Sequence, residues 1–312
     1  MIYLNKIDAQ RLAYLEGRTI GLPLPKALRM QLTSYCNMNC IMCPCANNAH
    51  PHSDMSFECL QRVVELCSGK IKTVGISYLG EPTLHPYFWE YVNYMDQNAE
   101  WEIGLQTNGT TLNKSFIQQL LDSPIESISI SLDTLDDFDD QHYRPGTHHK
   151  AILENIYELL ELKNRIRPDF IVILRVFSDE IKRGNIKDFI KKVLMWKNRG
   201  CYAITPGRMF NHAGAITEIE DSCAACRKHE YPCIFPWFYL VVGVNGELRP
   251  CCMDTEGQMT LKTVYDINSL EDFWNGQEMK NFRAELLNGC PNNLLCKKCN
   301  WRLLVSPEDI LK

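Results

Sequence analysis

Six short runs rich in Val, Ile and Tyr alternate with amphipathic stretches between residues 28 and about 206, and this alternation restricts the fold more than any other feature. The runs are Leu28–Thr33, Lys72–Tyr78, Trp101–Gln106, Ile125–Ser131, Phe170–Phe177 and Cys201–Thr205. Their near-continuous apolar character predicts strands covered on both faces. The stretches between them, Phe57–Cys67, Phe88–Asp96, Lys114–Leu121, Ala151–Asn164 and Ile186–Lys197, carry the spacing of helices with one apolar side. Strand–helix units repeated in register imply parallel strands joined by right-handed crossovers. The expected class is therefore α/β, with an open (β/α)6 partial barrel and function at the loops that follow the strands' C-terminal ends.

The pattern changes after Gly207. Pro236–Val242, Asn245-Gly246 and Glu247–Pro250 read as a β-hairpin with a type I′ turn, followed by short helices near Ser269–Trp274 and Glu278–Leu287. This divides the 312 residues into an N-terminal extension (1–27), a barrel (28–215) and a small C-terminal module (216–312). A net charge of −5 argues against nucleic acid as a partner. No apolar run approaches the roughly 20 residues that span a bilayer, so no membrane association is expected. The first residues lack a basic segment followed by an apolar one, which points to a cytoplasmic location.

In a reducing compartment, the fifteen cysteines are read as metal ligands rather than disulfides where they cluster. Cys59, Cys67 and Cys201 stand alone and are expected to be buried thiols. Cys36, Cys40 and Cys43 lie at x3 and x2 spacing directly after the first strand. Three thiolates on one loop can hold three irons of a [4Fe–4S] cluster and leave the fourth iron open. Zinc is the alternative, but a structural zinc site takes four ligands, usually in CxxC pairs. Cys45 offers a fourth thiol, although the single residue between it and Cys43 makes joint chelation awkward.

Cx3CxxC after the first strand of a parallel barrel resembles the radical S-adenosylmethionine (radical SAM) superfamily. The resemblance implies an open iron that chelates SAM and, when reduced, cleaves it to a 5′-deoxyadenosyl radical. Met42 departs from the aromatic residue usual before the third cysteine. Gly80-Glu81-Pro82 at the end of the second strand is similar to the family's element for the SAM amino group, with Leu79 in place of its first glycine. Glu81 there can accept from an ammonium, and Pro82 removes a competing donor. Asn108 after the third strand, and Ser129, Ser131 and Asp133 at the end of the fourth, match positions that contact SAM. For Asn108-Gly109 a plain turn is the alternative, and for Asp133 a helix cap. Arg175, a charge inside an apolar strand, needs an anion, either the SAM carboxylate or a barrel aspartate.

Cys233, Gly246, Cys251, Cys296 and Cys299 resemble the shortened SPASM module called twitch. That likeness implies an auxiliary [4Fe–4S] cluster held by Cys233, Cys251, Cys296 and Cys299, with zinc possible on ligand count alone. Cys223, Cys226 and Cys290 could support a further cluster, but the Cys290-x5-Cys296-x2-Cys299 run is shorter than in full SPASM domains. The tail is similar to 2-deoxy-scyllo-inosamine dehydrogenases, and Cys252, beside a ligand, to the hydrogen-donating cysteine of radical SAM epimerases. His212 takes the place of a substrate-contacting arginine and could serve as base. The resemblance thus implies a small-molecule substrate, since 27 residues before the barrel are too few for a peptide-binding domain. It also implies an electron donor such as flavodoxin or ferredoxin. Epimerisation of a carbohydrate, aminocyclitol or aminoglycoside carbon is the preferred expectation. Two-electron oxidation of a secondary alcohol, peptide modification and a non-catalytic iron–sulfur or zinc protein are the alternatives.

Overall fold

The computed structural model describes residues 8–46, 51–132, 134–135, 144–177, 186–207, 212, 215–216, 232–289 and 292–299. In chain order the elements are α1 (Ala9–Leu15), β1 (Ala27–Met30), α2 (Phe57–Cys67), β2 (Thr73–Ile76), α3 (Phe88–Asn98), β3 (Glu102–Thr107), α4 (Lys114–Asp122) and β4 (Ile125–Ser131). They continue as α5 (His149–Ile166), β5 (Ile171–Phe177), α6 (Ile186–Asn198), β6 (Ala203–Gly207), α7 (Phe235–Phe238), β7 (Tyr239–Val242) and β8 (Glu247–Arg249). The last are β9 (Lys262–Thr263), α8 (Leu270–Trp274), α9 (Gln277–Leu287) and α10 (Leu294–Lys298). Local chemistry starts the helices. The Ser56 side chain accepts the Cys59 N–H at α2, Asn113 accepts the Phe116 N–H at α4, and Ser269 accepts the Asp272 N–H at α8.

The chain divides into two compact units. One comprises Gln31–Asp54 and Thr73–Met209, the other Met1–Met30, Met55–Lys72 and Phe210–Lys312. In the first unit β2 to β6 pair in chain order, every pair parallel. This is the open α/β arrangement that the strand–helix alternation implies. The strands are not equally covered on both faces, however. In β2 and β3 burial alternates residue by residue between buried and half-buried. Val74, Ile76, Ile103 and Leu105 sit in the core, whereas the opposite face keeps Gly75, Gly104 and Gln106, small or polar side chains that need not be dry.

The second unit is built on β1, which pairs in parallel with β7, while β7–β8 and β8–β9 are antiparallel. The hairpin exists, but its turn is not type I′. The Gly243 N–H donates to the Glu247 carbonyl and the Gly246 N–H to the Gly243 carbonyl, leaving Val244, Asn245 and Gly246 as the loop. Only Gly246 of these three has a left-handed backbone, at φ 82°. A three-residue loop ending in a left-handed glycine replaces the two-residue turn, because Asn245 stays at negative φ. A Cβ on Gly246 would lie 2.6 Å from Val264 Cγ2, so glycine is required twice over.

The segment expected to be a bare extension contains α1. Asp8 caps it, and its buried Gln10 donates to the carbonyls of Leu24 and Trp237. Arg283 on α9 is fully buried. It donates to the carbonyls of Pro236 (2.9 Å), Thr19 (3.1 Å) and Trp274 (2.7 Å), with its guanidinium 4.5 Å from the Trp274 ring centroid. No helix among the described residues is long and apolar enough to cross a membrane.

Candidate active site

Cys36, Cys40, Cys43 and Cys45 lie on one loop of the first unit, which is stitched at its base. Thr33 and Asp54 form an antiparallel bridge, the Ser34 N–H donates to the Ser53 carbonyl, and the Ser53 N–H donates to Ser34 Oγ. Turns from Cys40 to Cys43 and from Cys43 to Ala46, each closed by a 3.0 Å backbone bond, fold the loop back. Burial, with the charges of Glu81, Cys43 and Cys40, pushes the Cys36 thiol up to about 11. Cys45 is not remote from the other three. Its sulfur accepts hydrogen bonds from the Cys43 thiol and the Gly80 N–H and feels the charges of Cys36 and Cys40. Crowded thiols of this kind suit a cationic iron centre that removes their protons.

Gly80 brings the Gly-Glu-Pro element against this loop. Its φ is 77°, and a Cβ would lie 2.2 Å from the Thr33 carbonyl oxygen and 2.9 Å from that of Tyr35. The Glu81 N–H then donates to the Tyr35 carbonyl at 2.7 Å. Tyr78, two residues earlier, also has positive φ, at 140°, a strain carried next to the motif. Pro82 opens a 3-10 turn, Pro82–Leu84.

The Glu81 carboxylate is 2% exposed and already occupied. It accepts from the Thr83 hydroxyl (2.7 Å), the Thr107 hydroxyl (2.7 Å), the Asn108 N–H (2.7 Å) and the Thr83 N–H (3.3 Å). Burial raises its pKa, and these donors oppose the rise. Asn108 in turn donates to Asn37 Oδ1 at 3.0 Å and reaches Cys36 Sγ at 3.8 Å. The ends of β2 and β3 and the cysteine loop are therefore one hydrogen-bonded body. The Asn37–Asn108 link has no sequence signal, because it joins residues 71 positions apart.

On β4, Ser129 and Ser131 share a face with Arg175 of β5. Arg175 Nε donates to Ser129 Oγ at 2.7 Å, and Ser131 pairs with Arg175 in register. Asp133 lies outside the described residues, as do Cys223, Cys226 and Cys290.

In the second unit, Cys233, Cys251, Cys296 and Cys299 line one pocket together with Met253, Met259, Phe282, Leu286 and other residues. Cys251 follows β8, and Cys296 rides on α10, which Asn293 caps by accepting the N–H groups of Leu295 and Cys296. The Met253 N–H donates to Cys251 Sγ at 3.3 Å. Burial, then the charges of Cys252, Cys233, Cys299 and Cys296, push the Cys251 thiol well up. Four thiols on an apolar hollow fit an iron–sulfur cluster, whose irons neutralise charge that bare thiolates could not keep there. Asp254 accepts the N–H groups of Gln258 (2.9 Å) and Met259 (2.7 Å), which fixes the loop carrying both methionines. Cys252 is buried, and burial raises its pKa, with Arg29 opposing. His212 has φ 44° and a buried Nδ1 without a hydrogen-bond partner; burial lowers its pKa to about 4.

Two family patterns match the chain. The radical SAM superfamily pattern matches residues 30–184, and that of an iron–sulfur cluster-binding domain (SPASM) matches residues 233–300. The chain belongs to the radical SAM superfamily and carries a SPASM domain. Its cofactors follow from that membership: a SAM-binding [4Fe–4S] cluster, SAM itself and auxiliary iron–sulfur ligation in the tail.

Among curated proteins, the chain is 27% identical over 112 residues to the tungsten-containing aldehyde ferredoxin oxidoreductase cofactor-modifying protein of Pyrococcus furiosus. That match covers 35% of this chain and 31% of the relative, so the chain spans about a third of that protein's length. Among solved structures, BtrN in complex with AdoMet and 2-DOIA is similar with a TM-score of 0.64 and 19% identity, over 89% of this chain and 94% of BtrN. SuiB of Streptococcus suis bound to precursor peptide SuiA is similar with a TM-score of 0.60 and 15% identity, over 93% of this chain and 72% of SuiB. At these identities the shared feature is the fold.

Proposed function

We propose that this radical SAM enzyme takes a hydrogen atom from a carbon of a small polar substrate, of carbohydrate, aminocyclitol or aminoglycoside type, and inverts that carbon with Cys252 as hydrogen-atom donor. In this reading Cys36, Cys40 and Cys43 hold the SAM-binding cluster, and Cys233, Cys251, Cys296 and Cys299 hold the auxiliary one. When bound, the first cluster and SAM supply the 5′-deoxyadenosyl radical that removes the substrate hydrogen. Gly80, Pro82, Asn108, Ser129, Ser131, Asp133 and Arg175 position SAM, with Glu81 bracing the strand ends that present it.

The observation that carries the reading is the state of Cys252. Hydrogen-atom donation needs an intact S–H bond, and Cys252 is a buried thiol next to Cys251 in sequence, where burial disfavours the thiolate. The S–H hydrogen passes to the substrate carbon, leaving a sulfur radical on Cys252. One electron from an external donor such as flavodoxin or ferredoxin and one proton from solvent restore the thiol.

Oxidation of a secondary alcohol is the second reading, and His212 favours it. Its buried Nδ1 has no hydrogen-bond partner among the described residues, and burial keeps the imidazole neutral, so it can accept a hydrogen bond from a substrate hydroxyl. The auxiliary cluster would take the second electron.

Turnover of candidate aminocyclitols and aminoglycosides in D2O separates the readings. Epimerisation adds one non-exchangeable deuteron to the product, whereas oxidation leaves it two hydrogens lighter. Cys252→Ala should keep forming 5′-deoxyadenosine while losing inverted product by about a hundredfold or more. Unchanged turnover and stereochemistry in that variant would end the donor role of Cys252.

A further inference from the structure

Asn108 holds a hydrogen-bond donor against the loop of Cys36, Cys40 and Cys43. It directly follows β3, it is buried, and its backbone N–H is tied to Glu81 Oε2 at 2.7 Å. Its side chain belongs to a closed set of three hydrogen bonds. The Thr110 hydroxyl donates to Asn108 Oδ1 (2.7 Å), Asn108 Nδ2 to Asn37 Oδ1 (3.0 Å), and Asn37 Nδ2 to Thr110 Oγ1 (2.9 Å).

The direction of the Asn108 amide follows from a fourth contact. The Thr110 backbone N–H, which can only donate, meets Asn108 Oδ1 at 2.9 Å. The oxygen therefore lies on the Thr110 side, and Nδ2 faces the cysteine loop. One of its two N–H groups serves Asn37. The other is directed at Cys36 Sγ, 3.8 Å away, a distance that the large radius of sulfur makes a bonding one.

A thiolate that holds iron keeps part of its negative charge, and reduction adds one more charge to the centre. An N–H dipole aimed at that sulfur stabilises the reduced state more than the oxidised one, which raises the reduction potential. The contacts to Thr110, Asn37 and Glu81 fix the donor before the electron arrives, so little reorganisation opposes the transfer.

We propose that Asn108 donates its second amide N–H to Cys36 and thereby sets the reduction potential of the SAM-binding cluster. It is a positioning residue that acts through Cys36. One electron from a donor such as flavodoxin or ferredoxin is taken up, with no bond made or broken. This rests on the reading of Cys36 as a ligand of that cluster and goes beyond it.

The test is a redox titration of the reconstituted full chain, followed by EPR without SAM, so that contacts to SAM do not enter. The joint Cys36, Cys40 and Cys43→Ala variant supplies the tail signal for subtraction. Asn108→Ser keeps an oxygen for the Thr110 N–H, and so the turn, but is too short to reach Cys36. Its SAM-binding cluster should be about tenfold harder to reduce, a shift of about 59 mV to more negative potential, with the tail potential unmoved. Wild type labelled with nitrogen-15 in its asparagine side-chain amides should show a nitrogen-15 coupling to the reduced cluster by pulsed EPR. That measurement decides the matter if Asn108→Ser fails to bind iron. An unchanged potential in Asn108→Ser, or no such coupling in wild type, would overturn the proposal. If the joint cysteine variant keeps all its iron, the ligand reading fails and the proposal with it; if its iron halves, an unmoved potential faults the role of Asn108 alone.

Discussion

Glu81 is expected from its motif to meet the ammonium of SAM, but its carboxylate spends its acceptors on Thr83, Thr107 and Asn108. Those bonds make it a brace between the ends of β2 and β3. Glu81→Ala would leave the Thr107 hydroxyl and Asn108 N–H buried without an acceptor, at a cost of about 3 kcal/mol. The urea midpoint should fall and the Kd for SAM should rise together. Gly80→Ala should separate the motif from the cysteine loop, because its Cβ would meet the Thr33 carbonyl. Iron content should then drop from about eight to about four per chain, the tail cluster being untouched.

His212 makes a different prediction. Its pKa is held at about 4, below the ordinary 6.5, so the folded chain resists a proton that the unfolded chain accepts. Stability is therefore lost as pH falls from about 6.5 towards 4. His212→Asn, which tolerates left-handed backbone, should flatten the fall in Tm between pH 7 and 5. The cysteines and Gly80-Glu81-Pro82 were legible because metal and turn chemistry restrict spacing. The pairing of Asn37 with Asn108 was not, since it depends on loop packing between distant segments.

At the scale of elements, β4 and α2 fall at Ile125–Ser131 and Phe57–Cys67, as their patterns imply. Apolar periodicity and a Ser cap act there together. Agreement fails where tertiary contacts override local preference. The first strand ends at Met30 rather than Thr33, because the following residues turn to bridge Asp54. Phe235–Phe238, apolar enough for a strand, forms the single turn α7, whose Pro236 carbonyl accepts from Arg283. The helix α1 carries too short a pattern to stand out, and Gln10 anchors it only through contacts made after folding. Arg283→Leu should show how far α9 depends on such contacts. Three carbonyls would lose a charged donor, and the loss of stability should be about 3 kcal/mol or more by urea unfolding.

For the whole molecule, the decisive quantity is metal content. Reconstituted wild type should hold about eight irons, and the joint Cys36, Cys40 and Cys43→Ala variant about four, without zinc. Four irons with one zinc would make the tail structural and remove the internal electron acceptor that alcohol oxidation needs. The fold class was readable from strand–helix alternation, and the cofactors from the resemblance of the cysteine motifs to the radical SAM and SPASM families. The division into two units was less so, because β1 and α2 belong by contact with the C-terminal part of the chain.

One small element has a practical consequence. The five-residue α10 is too short to persist by itself, and it presents exposed Lys297 and Lys298 between Cys296 and Cys299. A cluster bound on both sides would clamp those two lysines, and its removal would release them as a trypsin site. The rate of that single cut, followed on a gel during chelation, becomes a gauge of how much of a preparation carries its tail cluster, with no spectrometer involved.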